Sequence, residues 1–274
     1  MTRHARRGGL AVPALLSALV LAATTLALAQ GPAPRADVPV PRTDKNSQLA
    51  HQQLLEKRRQ GRIDVYFAGD SITRRWGATD YPELLAHWRQ TFHGWNAANF
   101  GWGADSTQHI LWRLTNGELE DVHPKVIVLL AGTNNVGRVV PAGAEDARVT
   151  DVTRGITAIV DVMRTKAPKA TIVVMGIFPR NDNIAVMPII DRINANVARL
   201  ADGRQVRYLN INDRLAGPDG RLREGMMGDG LHPSRQGYQV WADALSPILT
   251  ELLGPKAADD QAPPPTGDPS AVQK

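Results

Sequence analysis

Along this chain, short unbroken runs of apolar residues alternate with longer stretches in which apolar residues recur every three or four positions. The runs fall at 63–68, 97–100, 126–131, 171–177 and 206–211, with VIVLLA and TIVVMGI the most continuous. Runs without polar alternation suit strands covered on both faces. Between them, Val149, Val152, Ile156, Ile159 and Met163 share the helical spacing, as do Ile190, Ile193, Val197 and Leu200. A last helix is marked by Tyr238, Trp241, Leu245, Ile248 and Leu252. Strands alternating with helices predict βαβ units, a parallel sheet and an α/β fold. In such sheets ligands and chemistry gather beyond the carboxyl ends of the strands. The segment after each strand is therefore the place to look.

The first of those segments is Gly69-Asp70-Ser71, and the second, NFGWGADST, holds Gly101, Gly103, Ala104 and Asp105. The third is GTNNVG with Asn134 and Asn135, and the fourth offers Phe178, Pro179 and Arg180. Before the last helix stands GDGLHPSRQG, with Asp229 and His232. Taken alone, Gly69-Asp70-Ser71 reads as a helix N-cap turn, because Asp and Ser both cap well. A serine hydroxyl becomes a useful nucleophile only when a base takes its proton. His232 could do that, and Asp229, three residues before it, is placed to hold the imidazole in one tautomer. Trp76, Trp102 and Arg180 sit near these segments and are candidate substrate contacts, with packing the competing role for the two tryptophans. A divalent ion on Asp70, Asp229, His232 and Asn134 is the rival chemistry. It is disfavoured because the chain has no cysteine and no HxxxH or HxH pair. No cofactor is expected.

The blocks GDSIT, NFGWGADSTQHILWRLTNGELEDVHPKVIVLLAGTNN and DGLHPSRQGY, in this order, resemble the SGNH (GDSL-type) esterase and lipase superfamily. The likeness is strongest to its platelet-activating-factor acetylhydrolase catalytic-subunit branch, and it spans 63–253. It implies a flavodoxin-like three-layer α/β/α sandwich with a five-stranded parallel sheet. It further implies Ser71 as nucleophile, with Asp229 and His232 completing a triad. By the same resemblance the oxyanion donors are the backbone N–H of Ser71, a backbone N–H of the second block and the side-chain amide of Asn134. The chain departs from the family where the second-block glycine is expected, since that position is Ala104. Alanine can supply a backbone N–H there if its φ is negative, and a left-handed conformation would cost energy. Gly103 is the neighbouring alternative.

Composition adds the setting. The net charge is +5, but Arg3, Arg6 and Arg7 precede the first acidic residue, and without them it falls to +2. That is too little to argue for a nucleic-acid or anionic-surface partner. Those arginines open a leader with an apolar stretch from Leu10 and an A-x-A site at Ala27-Leu28-Ala29, the pattern of a secretory signal peptide over 1–29. Export to the periplasm or medium follows as the expectation, with no stable membrane insertion after cleavage. Residues 30–42 are proline-rich and read as a spacer, 43–254 as the hydrolase domain, and 255–274 as a disordered tail. The expected activity is hydrolysis of small acyl esters, acetyl above all, on glycans. A lipid ester and a non-catalytic glycan-binding module are the alternatives. The resemblance allows a homodimer, although no dimer face is legible.

Overall fold

The computed structural model describes residues 1–2 and 35–273, within two compact units, 1–33 and 34–274. The leader, apart from its first two residues, lies outside the described residues. The second unit opens with α1 (Lys45–Lys57), β1 (Val65–Gly69), α2 (Ser71–Gly77) and α3 (Pro82–Phe92). Next come β2 (Ala97–Gly101), α4 (Thr107–Arg113), β3 (Val126–Leu130), α5 (Thr133–Val136) and α6 (Glu145–Lys166). The chain continues through β4 (Thr171–Met175), α7 (Met187–Ala198), β5 (Val206–Leu209), α8 (Asn212–Leu215) and α9 (Arg235–Leu253). All five expected strands form, within two residues of their expected bounds.

The strands make one parallel sheet in the order β2-β1-β3-β4-β5. The apolar runs are buried on both sides because helices cover both faces. Tyr66, Ile127 and Ile172 face a layer that includes α4, α6 and α7. Phe67, Val128 and Val173 face α2, α3 and α9 on the opposite side. This is the three-layer α/β/α sandwich implied by the resemblance. The chain leaves β1 for β2 on one side and returns to β3 on the other, so the switch in strand order lies at β1. Gly69 stands opposite Gly101 in β2 and Leu130 in β3, which brings three strand ends level. Two of those ends must be glycine. A Cβ on Gly69 would lie 2.1 Å from Thr73 Oγ1, and one on Gly101 would lie 2.5 Å from the Arg74 nitrogen. The missing side chains let α2 start directly above the sheet.

The proline-rich ends depart from expectation. The tail, expected to be disordered, lies against the domain as far as it is described. Gln261 accepts from the Arg62 amide at 2.7 Å, Thr266 from Thr79 at 3.1 Å, and Asp260 from Gly94 at 2.7 Å. Pro263 and Pro269 are buried. Of the spacer, residues 35–42 are likewise pinned: Ala36 is buried, and its carbonyl accepts from Thr107 Oγ1 at 2.7 Å. Neither segment carries a helix or strand period, because each is held by carbonyls and prolines fitted to a surface that exists only after folding. No helix among the described residues is long and apolar enough to cross a membrane.

Trp76 falls in α2 and is fully buried, its indole N–H donating to His87 Nδ1 at 2.9 Å. It packs among Phe92, Tyr238 and Trp241, with ring centres 4.8–5.0 Å apart. It is therefore a core residue and not the substrate contact suggested by its place in the sequence. Trp76→Ala is expected to cost about 3–5 kcal/mol of stability, measured by denaturant unfolding.

Candidate active site

Asp70 and Ser71 sit where β1 becomes α2. Asp70 is the N-cap, its Oδ1 accepting from the Ile72 amide at 2.9 Å, and Ser71 opens the first turn. That turn leaves the leading N–H groups without intrahelical partners, so the Ser71 amide stays free to meet negative charge. Burial pushes the Asp70 carboxyl up to about 7, and the charge of Asp105 adds to the rise. Asp70 thus shapes the turn as a buried cap.

The histidine arrives from the far end of the chain. Gly228 donates to the His232 carbonyl at 3.1 Å, and Ser234 caps α9 by accepting from Gln236 and Gly237. The hydroxyl of Tyr238 in α9 donates to the Ile72 carbonyl at 2.5 Å, tying α9 to the helix that carries Ser71. Between these anchors, His232 Nε2 lies 2.9 Å from Ser71 Oγ. Its Nδ1 lies 2.7 Å from Asp229 Oδ2, while Asp229 Oδ1 accepts from the His232 and Leu231 amides at 2.7 and 3.1 Å. Burial pushes the Asp229 carboxyl up, but those amides and the imidazole outweigh it and bring it down to about 2. Burial also lowers the pKa of His232. The hydrogen bond that His232 donates to Asp229 opposes that fall, and the charge of Arg75 reinforces it. An uncharged imidazole with an occupied Nδ1 can take a proton from Ser71 through Nε2.

The second and third blocks meet at Asp105. Its carbonyl accepts from Asn134 Nδ2 at 2.8 Å, which fixes the amide of α5 beside the loop after β2 and leaves its other N–H uncommitted to that bond. Its carboxylate pairs with Arg113 Nε at 2.7 Å and with Arg42 at 3.4 Å. Asn135 plays a different part, because its Oδ1 accepts from the Thr107 amide at 2.8 Å and holds the start of α4. Ala104 does not keep a negative φ. It sits at +61°, in the left-handed region, so the departure from the family's glycine carries strain. Gly103 needs no such freedom, since a Cβ there would meet nothing within 4 Å; its carbonyl accepts from Arg42 at 3.0 Å.

Ser71, His232 and Asp229 are thus joined in one hydrogen-bonded line, and Ser71, Ala104 and Asn134 stand beyond the ends of β1, β2 and β3. Three further candidates are used in packing. Trp102 is 7% exposed, donates to Ser47 Oγ at 2.8 Å and lies under the Arg74 guanidinium. Arg180 is 3% exposed, forks onto Asp182 and donates to the Thr133 carbonyl at 3.3 Å. Trp76 belongs to the core. From sequence, Arg75 reads with Arg74 as a residue solvating a helix face, yet its Nη1 lies 3.4 Å from Asp229 Oδ2. The available signal was spacing, because a residue four after Ser71 shares its helix face. Among the described residues no group of three or more His, Cys, Asp or Glu side chains could hold a metal ion.

A family model described as GDSL-like Lipase/Acylhydrolase matches residues 67–240, and the chain belongs to that family. Its relatives include the Bos taurus platelet-activating factor acetylhydrolase IB subunit alpha1, 34% identical over 80% of this chain and 89% of that protein. Among solved structures, a candidate platelet activating factor from Streptococcus pneumonia aligns over 75% of this chain and 93% of that one, at 23% identity and TM-score 0.61. A carbohydrate esterase family 3 protein from Talaromyces cellulolyticus shares the fold at 18% identity and TM-score 0.50, over 69% of this chain and 97% of that one.

Two outcomes follow from this geometry. Ala104→Gly removes the left-handed strain and is expected to raise stability by about 0.5–1 kcal/mol in thermal or denaturant unfolding. With the neutral imidazole as the base and its pKa lowered, esterase activity is expected to persist below pH 6.5. The acidic limb of a kcat/KM profile on p-nitrophenyl acetate should fall on the acid side of that value.

Proposed function

We propose that the protein is a serine esterase that removes small acyl groups, acetyl above all, from an alcohol. The observation that carries this reading is the unbroken line from Ser71 Oγ through His232 to Asp229, at 2.9 and 2.7 Å. In that reading His232 Nε2 takes the hydroxyl proton as Ser71 Oγ attacks the ester carbonyl carbon. The tetrahedral oxyanion is met by the amides of Ser71 and Ala104 and by Asn134 Nδ2, donors aimed where charge develops. Collapse of the intermediate expels the alcohol, which takes the proton from His232, and leaves Ser71 acylated. Water, deprotonated by His232, then releases the acid and restores the serine. Asp229, ionised across the working range, stabilises the imidazolium formed in each half-reaction.

The acetyl preference is supported by the acetylhydrolase name of the relatives. Export is supported by the leader at 1–29, and an exported enzyme of this kind would act on O-acetylated glycans outside the cell. Ser71→Ala is expected to lower kcat on p-nitrophenyl acetate by about a thousand-fold or more, with unfolding unchanged. A fluorophosphonate should label the native protein at Ser71. Substantial activity in the variant would overturn the assignment, and faster cleavage of medium-chain esters than of acetate would turn the reading toward lipids.

A further inference from the structure

The two arginines of α2 have different surroundings. Arg74 is committed: its Nη2 donates to both Asp80 carboxylate oxygens at 2.7 and 3.0 Å, its guanidinium lies 4.9 Å over the Trp102 ring, and it is 11% exposed. Arg75 is 29% exposed, with its guanidinium 5.3 Å over the Tyr81 ring. Among the described residues its one acceptor is Asp229 Oδ2, at a long 3.4 Å. Asp229 is already served by two amides and by the His232 ring. Arg75 therefore holds most of its five donors unspent, one helical turn after Ser71 and against the loop that carries His232.

We propose that Arg75 selects esters whose alcohol part carries a carboxylate. The inference rests on the esterase reading and names the substrate class for that site. The side follows from position. The oxyanion donors Ala104 and Asn134 stand at the ends of β2 and β3, whereas Arg75 contacts the His232 loop, where the leaving alcohol receives its proton. The charge follows from chemistry. A guanidinium whose one acceptor lies at 3.4 Å keeps a pair of donors free, and a carboxylate can match such a pair with two parallel hydrogen bonds. Asp182, in the loop that reaches the histidine loop through Gly230, is shared between Arg180 and Arg138. The charges that act on His232 itself are those of Arg75, Asp229 and Asp182, and Asp229 and Asp182 already have hydrogen-bonded or ionic partners of their own. An acidic sugar acetylated on a nearby hydroxyl has this chemistry.

The test compares 4-acetoxybenzoate with its methyl ester, following acetate release. Both carry the same acyl group, and only one carries a charge on the leaving phenol. The ratio of kcat/KM, anionic over neutral, should fall about three- to ten-fold in Arg75→Gln and fall less in Arg75→Lys, which keeps the charge but not the fork. In the wild type the same ratio should shrink from low salt to 0.5 M salt, as a screened attraction must, and in Arg75→Gln it should not respond. An unchanged ratio in Arg75→Gln overturns the proposal, as does an equal loss on both esters, which would make Arg75 a positioning residue acting through Asp229. A wild type that cleaves neither ester and takes no fluorophosphonate at Ser71 overturns the esterase reading itself.

Discussion

One guanidinium, that of Arg113, holds the end of β1, the end of β2 and the loop beyond β2 in a single place. It donates to the Phe100 carbonyl at 3.0 Å and to the Gly69 carbonyl at 3.4 Å, and it pairs with the carboxylates of Asp105 and Glu118. All three charged groups are buried, so each depends on the others for the hydration it has lost. Two carboxylates and two strand-end carbonyls around one planar donor set leave little freedom in how β1, β2 and α4 meet. Ser71 follows one of those ends by two residues, and Ala104 directly precedes Asp105. The position of Asn134 descends from the same source, because it donates to the Asp105 carbonyl.

The aspartates around the candidate site show how surroundings divide one chemistry into several roles. Burial raises Asp70 to about 7 and Asp105 to about 6, against the pull of Arg113 in the latter case. Asp229 goes the other way, to about 2, because its oxygens face two amides and an imidazole at a half-exposed position. The two raised groups shape backbone, as a helix cap and as a seat for Arg113 and Arg42. The lowered one keeps its charge beside His232. Side-chain type alone would not separate them, but hydration and hydrogen-bond supply do.

Much of the candidate site was legible because its parts are local. Gly-Asp-Ser at a strand end, Asn after the third strand and Asp-x-x-His before a helix each depend on a few neighbouring residues. The sandwich was legible for a related reason: a strand buried on both faces must be apolar throughout, as Val126–Leu130 is. What escaped depends on partners distant in the chain. Trp76, Trp102 and Arg180 looked available beside the site, yet each is held by a partner elsewhere in the chain, namely His87, Ser47 and the Thr133 carbonyl. The tail looked like free chain because proline-rich sequence has no period. Its hydrogen bonds go to Arg62, Thr79 and Gly94, whose groups converge only once the sheet is built. The conformation of Ala104 was open for the same reason, since its φ is set by the loop that Asp105 anchors.

By itself, then, the amino-acid order determined which segments become strands and helices and which residue types stand at the strand ends, because hydrophobic period and capping chemistry act over a few residues. It also determined that no disulfide could assist, since cysteine is absent. Only the tertiary structure decided that Ser71 and His232, 161 residues apart, stand 2.9 Å from each other. The same holds for the strain at Ala104, for the greater exposure of Arg75 than of Arg74, and for the docking of the described parts of both proline-rich ends. Each of those depends on which surfaces the close-packed sandwich leaves open, and that is a property of the assembled layers.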